Sequence, residues 1–173
     1  MTRHRGELRR VLSIRPTSMG FGFAVLEGPE SLIDCGVKQA PKYDKTWCLA
    51  QAAAFMDQYH LDLVVIEDGA SKARRRSSRV GDLVAAIRKL ARRRKLPTRT
   101  LSRRKVKRAF ESTERPTKHR IAVRIAVCFP VLAPRVPPPR KPWMSEHYNM
   151  AIFDAIAVGL TLRRKAREPL VED

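Results

Sequence analysis

LDLVVIEDGASK, from Leu61 to Lys72, changes character halfway along. Leu61, Leu63, Val64, Val65 and Ile66 form a nearly unbroken apolar run, the pattern of a strand whose sheet is covered on both faces. Glu67 and Asp68 end the run with two carboxylates, and Gly69 breaks it. In open α/β sheets, ligands are met at the carboxyl ends of strands, where loops can vary without disturbing the core. The stretch therefore sets an acidic pair at the mouth of an expected site. Immediately after it the chain turns basic. Carboxylates able to hold a metal, beside cations able to hold phosphates, are what a nuclease requires.

Composition bounds the partner. The chain has 173 residues, enough for one domain with a single core, and its 43% hydrophobic content is that of a globular protein. A formal net charge of +19 calls for a polyanion, because self-repulsion on that scale needs a partner to relieve it. Nucleic acid is the leading class. A membrane is not expected, since no run of about 18 apolar residues and no secretory h-region appears. Cys35, Cys48 and Cys128 are odd in number, widely spaced and form no CxxC, which excludes a zinc ribbon or disulfide framework and suits a cytoplasmic protein. Each reads as a small buried hydrophobe.

Working outward, residues 1–10 read as a basic arm, residues 11–163 as one domain and residues 164–173 as a tail. Val11–Pro16, Phe21–Glu27 and Ser31–Lys38 read as three strands of an antiparallel meander, with Phe21, Phe23 and Val25 on one face. From Asp44, a plausible N-cap, the period lengthens to 3.6, with Cys48, Ala52, Phe55, Met56 and Tyr59 on one helical face up to His60. After the Leu61 strand, Val80, Leu83, Val84, Ile87, Leu90 and Ala91 mark a second helix, and Leu96–Leu101 a fifth strand. Helices are expected over Arg103–Phe110 and Thr117–Cys128, the latter with Ile121, Ile125 and Cys128 inward. The prolines of residues 130–142 predict an extended connection that is neither helix nor central strand. Ser145 or Glu146 then opens a last helix, apolar nearly all round and so buried, with Asp154 in its middle.

A meander followed by right-handed βαβ crossovers gives one mixed five-stranded α/β sheet flanked by helices, the ribonuclease H-like arrangement. In that arrangement the first strand lies beside the fourth, so position 15 neighbours Glu67, and the last helix crosses near both.

The basic stretch supplies the nucleic-acid side of the reading. Lys72, Arg74, Arg75, Arg76, Arg79, Arg103, Arg104, Lys105, Lys107 and Arg108 lead the candidates, with Arg88, Lys89, Arg92, Arg93, Arg94, Lys95 and Arg99 between them and Asp82 the one acid from 72 to 108. A solvated helix face is the ordinary reading of a charge run, but the lack of compensating acids favours phosphate contact here. Glu67 and Asp154 are the candidate carboxylates for Mg²⁺ or Mn²⁺, since an unpaired aspartate in an apolar helix is costly. The plain alternative is that Asp154 pairs with an arginine.

Several stretches resemble the RuvC Holliday-junction resolvases. LSIRPTSMGFGFAVLE resembles their opening, where a strand ends in Asp-Pro-Gly, and VVIED their second strand motif, with its catalytic glutamate on Glu67. RKVKRAF and PTKHRIAVRIA resemble their lysine motifs, on Lys107 and Lys118, and FDAIAVGL the terminal helix, with its catalytic aspartate on Asp154. The match runs from about Val11 to Leu162, in order and in spacing. The resemblance implies a homodimeric, Mg²⁺- or Mn²⁺-dependent endonuclease acting on branched DNA, without a small-molecule cofactor.

Departures fall on the chemistry. The first catalytic aspartate falls on Arg15, an expected acid or histidine on Ala151, and a junction-probing aromatic on Ala70. A guanidinium at position 15 can satisfy Glu67 and Asp154 as a metal does. Replacement metal ligands are then to be sought at His147, two helical turns before Asp154 and otherwise a polar cap residue, or at Asp68 or Glu146. Asp68 is expected to face away from Glu67. Trp143, beside Arg140 and Lys141, either packs on the core or stacks on an unpaired base. Three functions follow: an active resolvase-type nuclease, a DNA-binding module on the same fold with catalysis lost, and a basic structural RNA-binding protein, which leaves the placing of Glu67 and Asp154 unexplained.

Overall fold

The computed structural model describes residues 10–28, 30–68, 77–112 and 115–167. Five strands form one sheet: β1 (Arg10–Thr17), β2 (Gly20–Glu27), β3 (Ser31–Gln39), β4 (Leu63–Asp68) and β5 (Thr98–Ser102), in the order β3-β2-β1-β4-β5. β1, β2 and β3 pair antiparallel, and β1–β4 and β4–β5 pair parallel, so the mixed sheet expected from the sequence is present.

Both faces are covered, which is why β4 is apolar without alternation. On one face Leu12, Ile14, Phe21, Phe23, Val64 and Ile66 pack against α1 (Lys45–Gln58) and α2 (Ser77–Arg93). Phe55 of α1 anchors this side, its ring 4.2 Å from that of Phe23. The Asp44 carboxylate accepts from Trp47 N at 3.2 Å and starts α1 as a side-chain cap. On the other face Val11, Leu63, Val65 and Leu101 pack against α3 (Arg103–Ala109), α4 (Lys118–Cys128) and α5 (Met150–Arg167). Ser102 and Thr117 cap α3 and α4 in the same way.

α5 lies close on the sheet because two positions there are small. A Cβ built on Gly22 of β2 would stand 2.2 Å from the Ala151 carbonyl oxygen and 2.8 Å from the Ala151 Cβ. Across β1, buried Ser13 donates its Oγ hydrogen to the Ala155 carbonyl at 2.5 Å.

Three expectations change. The last helix begins at Met150, not at Ser145 or Glu146: its approach is wound in short i→i−3 bonds, from Met150 N to the His147 carbonyl and from Ala151 N to that of Tyr148. His147 therefore lies outside the helix, and its expected position two turns before Asp154 on one face does not hold. The prolines do not exclude helix: Pro130–Arg135 is a 3₁₀ helix, with Pro130 at the first turn, where no N–H is needed, and Pro134 inside it between the bonds from Leu132 N to the Phe129 carbonyl and from Val136 N to that of Ala133. Cys128 is exposed and Cys35 half-buried, leaving Cys48 as the buried cysteine. α4 ends at Cys128, and Phe129 leaves helical geometry to take the inward place.

Candidate functional site

Strand parity assembles the site. On β1 and β4 the residues facing α5 are Val11, Ser13 and Arg15, and Leu63, Val65 and Glu67. The parallel register pairs Ile14 with Ile66, so one step further Arg15 and Glu67 stand side by side at the carboxyl ends of their strands. Arg15 is opposite Gly22 on its other side, where α5 presses closest. One turn along α5 from Ala151, Asp154 meets the pair.

Arg15 Nε is 3.1 Å from Glu67 Oε2 and 3.4 Å from Asp154 Oδ2. Its single Nε–H donates to Asp154 alone, so its attraction to Glu67 is that of charge without a directed hydrogen bond. Arg103, first residue of α3, donates from Nη1 to Asp154 Oδ1 at 2.9 Å and lies 3.7 Å from Glu67 Oε1. Lys118, first residue of α4, brings its Nζ to 3.1 Å from Asp154 Oδ2 and also pairs with Glu146. Three cations from three elements thus surround two buried carboxylates.

The two carboxylates are unequally served. Asp154 accepts charged hydrogen bonds at both oxygens. Glu67, 1% exposed, has a hydrogen-bond partner among the described residues at neither oxygen. Burial accordingly pushes its carboxyl above the usual range and Asp154 adds to the rise, while Arg15, Arg103 and Lys118 pull it down without cancelling the effect.

The expected metal does not fit this arrangement. Mg²⁺ or Mn²⁺ is held where carboxylate oxygens converge on an open position. Here guanidinium and ammonium groups occupy that position, and a dication would have to displace Arg15. Among the described residues no group of three or more His, Cys, Asp or Glu side chains is gathered to hold a metal. His147 and Glu146 border a cleft of about 250 Å³ with Arg15, Tyr148, Ala151 and Asp154. Glu146 is turned to Lys118, and His147 Nδ1 accepts from Asn149 N at 3.2 Å, a local turn contact. Glu67 and Leu101 are level across β4 and β5, and Asp68 is level with Ser102.

Of the basic candidates, Arg79, Arg104, Lys105, Lys107 and Arg108 are exposed to solvent, whereas Arg103 and Lys118 turn inward to the carboxylates. Lys72, Arg74, Arg75 and Arg76, like Ala70, lie outside the described residues. The inward role of Arg103 was missed by reading it as part of the basic surface. The period of two carries the signal: Leu101 faces α5, so the side chain two residues on falls on the same face, just beyond Glu67. Trp143 does not pack on the core, being 78% exposed.

No protein-family model matches the sequence, and no curated protein matches it. Solved structures match the fold throughout. RuvC from T. thermophilus, in complex with a Holliday junction substrate, superposes with a TM-score of 0.69 at 17% identity over 91% of this chain and 95% of that one. The yeast mitochondrial Holliday junction resolvase Ydc2 gives 0.63 at 11% identity, covering 93% and 80%. A Fowlpox virus resolvase, in complex with Holliday junction DNA, gives 0.58 at 10% identity, covering 90% and 99%. At these identities the likeness is one of fold, and that fold is the RuvC-like form of the ribonuclease H-like sheet. Among the described residues no helix is long and apolar enough to cross a membrane.

Proposed function

We propose that a chain with this resolvase fold binds branched DNA, such as four-way junctions, and holds it without metal-dependent cleavage. The observation that carries the reading is Arg15 between Glu67 and Asp154 at 3.1 and 3.4 Å, where a resolvase-type nuclease needs a third carboxylate and a metal. Arg103 adds a second guanidinium, its Nη1 2.9 Å from Asp154 Oδ1, so two arginines supply the positive charge that a divalent ion would bring. The net charge of +19 supports a polyanionic partner. The fold of proteins solved on Holliday junctions favours branched DNA over a structural RNA. A homodimer belongs to the same reading, because a four-way junction has two-fold symmetry and offers two equivalent faces.

A gel-shift and cleavage assay on a labelled four-way junction, with duplex controls, in EDTA and in Mg²⁺ or Mn²⁺, tests it. The expected result is tight junction binding, indifferent to the metal and without strand scission. Arg15→Asp, which restores a third carboxylate, is expected to make the protein respond to Mg²⁺ or Mn²⁺, first as a rise in Tm on adding the ion. Symmetrical metal-dependent nicks by the natural chain, abolished by Glu67→Gln and Asp154→Asn, would establish a nuclease instead.

A further inference from the structure

The segment between the prolines and α5 is held firmly yet presents its largest side chains outward. Trp143 is 78% exposed, Tyr148 59% and Met144 45%. Large apolar side chains left in water in one short stretch are a mark of a contact surface. Of the exposed aromatic residues described, Trp143 and Tyr148 share this stretch, whereas the third, Tyr43, lies beneath the Arg79 guanidinium at 4.9 Å.

The segment is a stiff presenter. Pro142 restricts the backbone just before Trp143, and Met144 N closes a turn on the Lys141 carbonyl at 3.0 Å. Glu146 is tied to Lys118, which also reaches Asp154, so the segment is fixed to the wall of the carboxylate site. Tyr148, stacked on His147 with ring centroids 5.0 Å apart, lines the cleft shared with Arg15 and Asp154.

Charge selects the occupant. Lys141 Nζ lies 5.3 Å from the Trp143 ring centre, and Arg140 precedes it, so the indole is set in positive potential. An exposed ring beside cations suits a flat, anionic ligand, and an unpaired nucleotide combines a π-face with a phosphate. An acidic peptide would use the charges and leave the ring surface unused.

We infer that Trp143 is a stacking platform for an unpaired base at the branch point of DNA bound to this chain, with Lys141 taking the adjoining phosphate. The inference rests on the DNA-binding reading and adds to it a residue that tells open branch points from continuous duplex. Duplex bases are already stacked and offer Trp143 no free face.

The test uses a junction with an unpaired 2-aminopurine at its branch point, and a duplex of matched length. Binding by the natural chain is expected to change the 2-aminopurine fluorescence through stacking. Trp143→Ala is expected to abolish that change and to lower the ratio of junction to duplex affinity about tenfold, the effect of one lost base–aromatic stack. Trp143→Phe is expected to keep most of both. An unchanged ratio and an unchanged fluorescence response in Trp143→Ala would overturn the platform while leaving DNA binding intact. Failure of the natural chain to bind either DNA would overturn both readings together. Exposure of the indole means that its removal leaves the core untouched, which unaltered thermal unfolding of the variant would verify.

Discussion

Glu67 carries a burden that Asp154 does not. Both are buried, but Asp154 receives directed hydrogen bonds from Arg15 and Arg103, whereas Glu67 is met by charge alone. Desolvation therefore dominates and raises the Glu67 pKa, so the folded protein holds that proton more firmly than the unfolded chain. Where the folded state binds more protons, stability falls as pH rises. Glu67 thus lowers stability progressively from the ordinary carboxylate range upward through its raised pKa, and the loss is complete above it. Glu67→Gln removes that slope. Denaturant unfolding from about pH 4 to about pH 8 is expected to show the variant gaining on the natural chain as pH rises, and parallel curves would show that Glu67 is not the titrating group. Both carboxylates were legible in the sequence, one by closing an apolar run and the other by interrupting an apolar helix. Arg15 as their counterion was legible because strand parity and strand order bring position 15 to Glu67. Arg103 was not read as inward, because it is one of many arginines and its composition resembles a surface.

At the scale of elements, the site depends on how closely α5 approaches the sheet. Gly22 permits the Ala151 backbone to touch β2, and Asp154 is one turn further along. In Gly22→Ala the added methyl meets backbone, which moves only with the whole helix. The expected cost is about 3 kcal/mol, at the upper end for overpacking. Gly159, also on α5, provides the contrast: a Cβ there meets side-chain atoms and no backbone, the Leu26 Cδ1 at 2.4 Å and the Ser13 Cβ at 3.3 Å. Gly159→Ala also gains helix propensity of about 1 kcal/mol, so it is expected to be close to neutral. Equal urea midpoints for the two variants would show that the α5 approach is not limiting. Periodicity made β2, β4, α1 and α2 readable in advance, because each buries one face or both. The start of α5 was not readable. Its approach is settled by Glu146 reaching Lys118, a contact between distant parts of the chain that no local pattern records, and by tight backbone turns at His147 and Tyr148.

For the molecule as a whole, the balance of charge decides how the proposed DNA would be met. Lys118 and Arg103 are spent inside the site, while Arg104, Lys105, Lys107 and Arg108 remain at the surface of α3 and Arg88, Lys89, Arg92 and Arg93 at that of α2. If about eight surface cations meet phosphates, the logarithm of the duplex binding constant should fall against the logarithm of salt with a slope of about −7. A measured slope nearer −2 would place most of the basic surface away from the DNA. The expectation of a nucleic-acid partner comes from the net charge of +19 alone, since no folding detail alters it. The exposure of Trp143 could not, because an indole in a proline-rich segment reads equally well as packed.

Turnover ends a nuclease's hold on its substrate, since the products part once the strand is cut. In the proposed reading, the clasp of Arg15, Arg103 and Lys118 on the two carboxylates closes that exit. The lifetime of the complex then rests on dissociation alone, which ionic strength and competing DNA govern. A branch point held as proposed would be sheltered for as long as it is bound, kept whole and out of reach of enzymes that would resolve it.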